Sequence, residues 1–127
     1  ISEAELAATV PSPTTLGYTG HLLKIAREGS IEEICAAMLP CQWGYDVIGR
    51  GLEPNLTAPA GSLHSRWVEG YCAPEYRAVT EWLKGFVDRL AVEADELVRE
   101  GMSEVFGEST RQEFLFWQAA WEQVSGA

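Results

Sequence analysis

Residues 30–49 show the clearest helical pattern of apolar and polar positions in the chain. Ser30 and Glu33 form a capping-box signature, which predicts where this helix begins. Pro40 lies inside the helix, and an interior proline removes a backbone hydrogen bond and usually kinks the helix. We therefore expect a mostly buried helix with a bend beside Cys41 that shapes the wall of a pocket. Residues spaced alternately by four and three share its apolar face, namely Ile34, Met38, Cys41, Tyr45 and Ile48.

The other segments also have helical spacing, and none alternates as a strand does. Pro11 and Pro13 separate residues 1–9, which we interpret as the tail of a helix, from a helix that Ser12 caps. Residues 49–61 lack periodicity and predict a loop. The remaining predicted helices cover residues 13–28, 62–71, 74–97 and 103–124, the last interrupted at Gly107. We expect an all-α bundle of five or six helices, forming a single domain over residues 1–127.

The first two long helices are separated by a very short connection around Gly29. Helices joined in this way are usually antiparallel neighbours. The beginning of the first helix then approaches the later part of the second. This arrangement predicts that Tyr18 lies near Cys41.

Composition limits the class of partner. The chain has 127 residues with 19 acidic and nine basic side chains, for a formal charge of −10. Such a balance repels phosphate backbones and anionic lipids, so we expect neither nucleic acid nor membrane partners. Cys35, Cys41 and Cys72 form an odd set without a CxxC pair, which favours reduced thiols and a cytoplasmic location. The chain begins with Ile1 rather than Met, as a trimmed product or a fragment would.

Two side chains suggest chemistry. Cys41 is one helical turn from Tyr45 and beside Pro40, a placement that fits either a nucleophile or an inert buried thiol. Glu113 lies in a strongly apolar segment, where a carboxylate must be paired, protonated or functional. The tyrosines are either core aromatics or site residues. With two histidines and no metal-binding motif, the sequence predicts no metal site and no cofactor.

Four segments together carry a resemblance to a known family. They are PSPTTLGYTGHLL around Tyr18, GSIEEICAAMLPCQWGYDVIG around Cys41, WVEGY ending at Tyr71, and FGESTRQEFLFWQAAW around Glu113. The chain resembles the TenA, or thiaminase II, family of all-helical proteins with a haem-oxygenase-like fold. The blocks occur in family order through essentially the whole chain.

The resemblance implies roles for individual residues. Cys41 matches the family's nucleophile, which adds to a pyrimidine ring so that an exocyclic group leaves and water replaces it. Glu113 matches the glutamate that handles protons at the reacting centre and contacts the amino side of the pyrimidine. Tyr18 and Tyr45 match tyrosines that surround and orient the reacting groups. If Cys41 attacks at neutral pH, we expect it to form a thiolate more easily than a free cysteine.

The resemblance also implies a ligand and an assembly. Tyr71 and Phe116 match aromatic residues that line the ring pocket. The reaction implied is hydrolysis of aminomethylpyrimidine to hydroxymethylpyrimidine with release of ammonia, and cleavage of thiamin itself. Family members are typically homotetramers and need no metal.

The four segments resemble the second half of the family's proteins, so we expect the N-terminal half to be missing from this chain. The resemblance implies that this half would supply an anchoring aspartate and an aromatic wall. Three hypotheses follow. The chain is the C-terminal portion of an aminohydrolase, or a non-catalytic pyrimidine-binding or assembly module, or one half of a split protein. In each case we expect exposed apolar helix faces that favour self-association or a missing half.

Overall fold

The computed structural model describes residues 1–125, so that Gly126 and Ala127 lie outside it. The described residues form six α-helices and no strand, which confirms the all-α prediction. The helices are α1 (Glu3–Ala7), α2 (Pro13–Glu28), α3 (Ile31–Leu52), α4 (Leu63–Cys72), α5 (Pro74–Glu93) and α6 (Glu96–Ser125).

Serine side chains begin the first four helices. The predicted capping box at Ser30 is confirmed: its hydroxyl accepts from the backbone N–H of Glu33, while the Glu33 carboxylate accepts from the Ser30 backbone at 2.8 Å. Residues 1–9 contain a complete short helix with its own capping box between Ser2 and Glu5, so their interpretation as a helix tail is wrong. Local hydrogen bonding at a cap therefore decides where these helices begin.

Several predicted helix boundaries are wrong. Helix α3 continues to Leu52 and a 3-10 turn follows, so the loop is shorter than predicted. Helix α5 ends at Glu93, and α6 begins at Glu96 and passes Gly107 without interruption. The side chain of Asp95 accepts from the backbone N–H of Val98 at 3.0 Å. This cap starts a new helix although the apolar spacing continues across the break.

Helix α3 is the centre of the fold and packs against α2, α4, α5 and α6. It continues through Pro40, which is buried. The helix turns mainly small side chains toward its neighbours, and these let the helices approach closely. The buried apolar core comprises Ile25, Cys35, Ala36, Ala37, Leu39, Val68, Leu83 and Met102.

The predicted apolar stripe of α3 is not the buried face. Met38 is 55% exposed and Cys41 is also exposed, whereas Cys35 and Leu39 on an adjacent face are buried. The expectation of a mostly buried helix is therefore wrong, because only seven of the 22 residues of α3 are buried. Other helices also carry exposed large apolar side chains, including Trp82, Phe114 and Trp121. None of the helices in residues 1–125 is long and apolar enough to cross a membrane.

Candidate active site

A hydrogen bond joins two helices that are distant in sequence. Tyr18 near the beginning of α2 donates its hydroxyl to Oε1 of Glu113 on α6 at 2.7 Å, across a separation of 95 residues. Both side chains are half-buried. The contact orients the carboxylate, because one of its oxygens is held by the phenol.

The thiol of Cys41 lies beside this pair. Burial, followed by the negative charge of Glu113, raises the pKa of the Cys41 thiol to about 11, while the Tyr18 hydroxyl acts in the opposite direction. The predicted proximity of Tyr18 and Cys41 is thus confirmed. The prediction of an easily formed thiolate is wrong, because the neighbouring carboxylate and partial burial both disfavour a second negative charge. The residue as a whole remains exposed, on an open face of the molecule.

A protonated thiol next to a carboxylate is suited to attack with a general base. At neutral pH, Cys41 holds its proton and Glu113 is the nearby group that can accept it. A nucleophile activated in this way does not need to be ionised before it attacks. It needs the thiol and the carboxylate to be held together, which the meeting of α3 and α6 provides.

Two tyrosines complete the polar part of the site. Burial and the hydrogen bond to Glu113 raise the pKa of Tyr18 well above its usual value. Burial, followed by the charges of Glu113 and Cys41, raises the pKa of Tyr45 to about 12. Both phenols therefore stay protonated at neutral pH and can donate hydrogen bonds to a carboxylate or a ligand.

An aromatic wall adjoins the thiol. Its rings come from three helices, with centroids 4.8 Å apart between Tyr45 and Tyr71 and 4.6 Å apart between Trp67 and Tyr71. Trp117 of α6 approaches Tyr45 at 5.8 Å. Tilted rings at these distances pack favourably and present a surface suited to a flat heteroaromatic ring. We refer to Tyr45, Trp67, Tyr71 and Trp117 as the aromatic wall.

Phe116 lies apart from Tyr45 and Tyr71. Its ring meets Trp117 edge-on at 6.1 Å. It also lines a cavity with Leu6 and Val10 of the N-terminal segment. Of the six site residues predicted from the sequence, the other five lie in one region, and Phe116 is connected to it through Trp117.

Two residues near the site were not predicted from the sequence. Tyr76, in the first turn of α5, packs edge-on against Tyr71 at 5.0 Å, and burial followed by the charge of Cys41 raises its pKa to about 12. Asp46 is almost completely buried and pairs with Arg50, while its second oxygen has no hydrogen-bond partner among the described residues. In the sequence, only the i,i+4 spacing of Asp46 and Arg50 indicated that these two side chains could pair.

His21 links α2 to α6. His21 is hydrogen-bonded to the buried hydroxyl of Ser109 at 2.8 Å. Across residues 1–125, no group of three or more His, Cys, Asp or Glu side chains is arranged to hold a metal ion.

A family model and individual relatives match the chain over nearly its whole length. The family model described as TENA/THI-4/PQQC matches residues 1–123. The chain is 35% identical to an aminopyrimidine aminohydrolase of Bacillus subtilis, over 97% of this chain and 51% of that protein. An aminopyrimidine aminohydrolase of Helicobacter pylori is 30% identical over 96% of this chain and 56% of its own length.

A solved structure supports the same fold. A TenA homologue from Pyrococcus furiosus superposes with a TM-score of 0.80 at 22% identity, covering 91% of this chain and 56% of the other. The chain spans about half the length of the curated relatives it matches. The matched region nevertheless includes every helix that contributes to the candidate site. The chain belongs to the TENA/THI-4/PQQC family.

Proposed function

We propose that the chain carries the nucleophile, the base and an aromatic wall of an aminopyrimidine aminohydrolase of thiaminase II type. The observation that carries this proposal is the placement of the Cys41 thiol beside Glu113, whose carboxylate is held by Tyr18 at 2.7 Å. The names of the Bacillus and Helicobacter relatives support the same reaction. The proposed substrates are aminomethylpyrimidine and thiamin, and hydroxymethylpyrimidine is the product.

The first half of the reaction forms a covalent adduct. Glu113 takes the thiol proton as the sulfur of Cys41 adds to an electron-poor carbon of the pyrimidine ring. The electron pair gained by the ring then expels the exocyclic amine. The amine takes the proton from Glu113 and leaves as ammonia, so that the ring remains bound to sulfur.

The second half restores the enzyme. Water adds to the exocyclic methylene carbon, and Glu113 accepts the proton that the water loses. The carbon–sulfur bond breaks, the sulfur takes back the proton held by Glu113, and hydroxymethylpyrimidine leaves. One water is consumed for each ammonia released, and Cys41 and Glu113 return to their starting protonation states.

The aromatic residues hold the ring during these steps. Tyr71 stacks on one face of the pyrimidine, and Tyr45 contributes both its ring and a hydroxyl that remains protonated at neutral pH. Phe116 extends the wall through its contact with Trp117. Tyr18 keeps the Glu113 carboxylate in position for proton transfer.

A second candidate function is a pyrimidine-binding or assembly module without turnover. The open face around Cys41 favours this alternative. Exposed side chains such as Trp82 and Trp121 support a homo-oligomeric assembly, such as a tetramer, or pairing with a further polypeptide segment. A cytoplasmic location remains a prediction.

The test measures ammonia release from aminomethylpyrimidine together with binding. Cys41→Ala should abolish ammonia release, while the matched variant Cys72→Ser should retain it, because Cys72 lies outside the cluster around Glu113. Ammonia release that survives Cys41→Ala would refute the mechanism. Pyrimidine binding without ammonia release from the parent protein would favour the second candidate function.

A further inference from the structure

The residue that follows the thiol is tied to helix α5. Nε2 of Gln42 donates to Oγ1 of Thr80 at 3.0 Å and approaches the backbone oxygen of Tyr76 at 3.5 Å. In return, the hydroxyl of Tyr76 donates to the backbone oxygen of Gln42 at 3.1 Å. Side chains of both helices thus bond to the backbone of the other helix, at the position next to Cys41.

Burial strengthens this connection. Thr80 is fully buried, and its hydroxyl donates onward to the backbone oxygen of Tyr76 at 3.1 Å. Hydrogen bonds shielded from water are stronger than exposed ones, and their geometry is better defined. We refer to Gln42, Tyr76 and Thr80 as the α3–α5 clamp.

The clamp acts where α3 lacks one of its own hydrogen bonds. Pro40 has no N–H, so the carbonyl of Ala36 loses its usual partner in the helix. The turn that carries the thiol is therefore less constrained by its own backbone than a regular turn. Contacts from α5 to Gln42 supply a constraint from outside the helix.

The clamp also connects the thiol to the aromatic wall. The ring of Tyr76 meets Tyr71 edge-on at 5.0 Å, and Tyr71 in turn lies 4.8 Å from Tyr45. A movement of Tyr76 would therefore change both the turn that holds Cys41 and the surface proposed to bind the pyrimidine.

We propose that the α3–α5 clamp positions the Cys41 thiol against Glu113, with Gln42 and Tyr76 as its positioning residues. The expected effect on turnover rests on the proposed function, whereas the expected effect on the reactivity of the Cys41 thiol does not. Neither Gln42 nor Tyr76 takes part in the bond-making steps. They act by holding the sulfur where the carboxylate can accept its proton.

The experiment measures alkylation of each cysteine by iodoacetamide as a function of pH, read by peptide mass spectrometry. Gln42→Met removes the amide donor at similar volume, and Tyr76→Phe removes the hydroxyl but keeps the ring. Gln118→Met is the matched control, because the amide of Gln118 bonds only to exposed Glu122 on the surface of α6. Cys35 and Cys72 report on any general loosening of the fold.

In both clamp variants, the thiol should move away from Glu113 and become less buried. The pH midpoint of Cys41 alkylation should then fall by about one unit, and its rate at about pH 8 should rise about threefold. Cys35 and Cys72 should react as in the parent, as should all three cysteines in Gln118→Met. An unchanged Cys41 profile in both variants would overturn the proposal. Equal acceleration of all three cysteines would also overturn it, because that result indicates loosening of the fold rather than loss of positioning.

Turnover supplies a separate readout. In the active protein, Gln42→Met and Tyr76→Phe should lower kcat about tenfold with little change in KM, because positioning errors act mainly on the reacting geometry. If the clamp variants alter Cys41 alkylation but the parent protein releases no ammonia, the positioning role of the clamp stands and only the proposed function is refuted. Unaltered alkylation in a protein that does release ammonia would refute only the clamp.

Discussion

Replacing Glu113 with glutamine should change the reactivity of Cys41 and the rate of turnover in opposite directions. The substitution keeps the size of the side chain and its ability to accept from Tyr18, but it removes the negative charge beside the thiol. Loss of that charge favours the thiolate and so makes Cys41 more reactive toward an alkylating reagent. It also removes the proton acceptor on which the proposed mechanism depends.

The size of the first effect follows from the causes of the perturbed pKa. With a pKa of about 11, about one Cys41 thiol in ten thousand is ionised at pH 7. Burial is the largest cause and the charge of Glu113 the second, and the exposed face allows water to screen that charge. We therefore expect Glu113→Gln to increase the thiolate population about threefold to tenfold. Because a less basic thiolate is also a weaker nucleophile, alkylation should accelerate only about twofold to fourfold.

The assay combines the pH profile of Cys41 alkylation with ammonia release on the same preparations. Turnover should fall by about a hundredfold or more in Glu113→Gln, as expected for loss of a general base. Glu104→Gln, on the same helix, is the matched control and should change neither quantity. Slower alkylation in Glu113→Gln, or full retention of turnover, would refute the assignment of Glu113 as the base that neighbours the thiol.

Two other substitutions test separate parts of the structure. Tyr18→Phe removes the hydrogen-bond donor to Glu113 and the hydroxyl that favours the Cys41 thiolate. Turnover should therefore slow about tenfold and Cys41 alkylation about twofold. Faster alkylation would contradict the described arrangement. Arg50→Met leaves the buried carboxylate of Asp46 unpaired and should lower the free energy of unfolding by about 1–3 kcal/mol in urea denaturation. Arg111→Met breaks an exposed pair with Glu108 and should leave the free energy of unfolding nearly unchanged. Equal effects of Arg50→Met and Arg111→Met would contradict the burial of Asp46.

Local signals in the sequence were sufficient for much of the fold. The capping box at Ser30 and the spacing of apolar residues predicted the central helix, and the short connection at Gly29 placed Tyr18 near Cys41. These predictions succeeded because each depends on contacts within a helix or between consecutive helices. The break between α5 and α6 was predicted after Leu97 but lies at residues 94–95. The apolar spacing continues through Leu97, whereas the Asp95 side chain caps the start of α6.

Features of the site that depend on distant residues were harder to predict. Periodicity identified the face of α3 that carries Met38 and Cys41 but not whether another element covers it, and the structure leaves it exposed. Burial, followed by the charge of Glu113, raises the pKa of Cys41. Both depend on residues far away in sequence, so the local pattern gave no indication of the direction of the shift. Tyr76 was assigned only to the apolar face of a packing helix, because its bond to Gln42 depends on how two helices meet.

The most direct test of the central claim is a search for a covalent adduct on Cys41 during turnover. The protein is mixed with aminomethylpyrimidine, quenched with acid, digested and examined by peptide mass spectrometry. We predict that Cys41 gains the mass of the substrate less ammonia, as located by fragmentation of its peptide, while Cys35 and Cys72 remain unmodified. Release of ammonia without this adduct, at a rate that Cys41→Ala leaves unchanged, would contradict the assignment of Cys41 as the nucleophile.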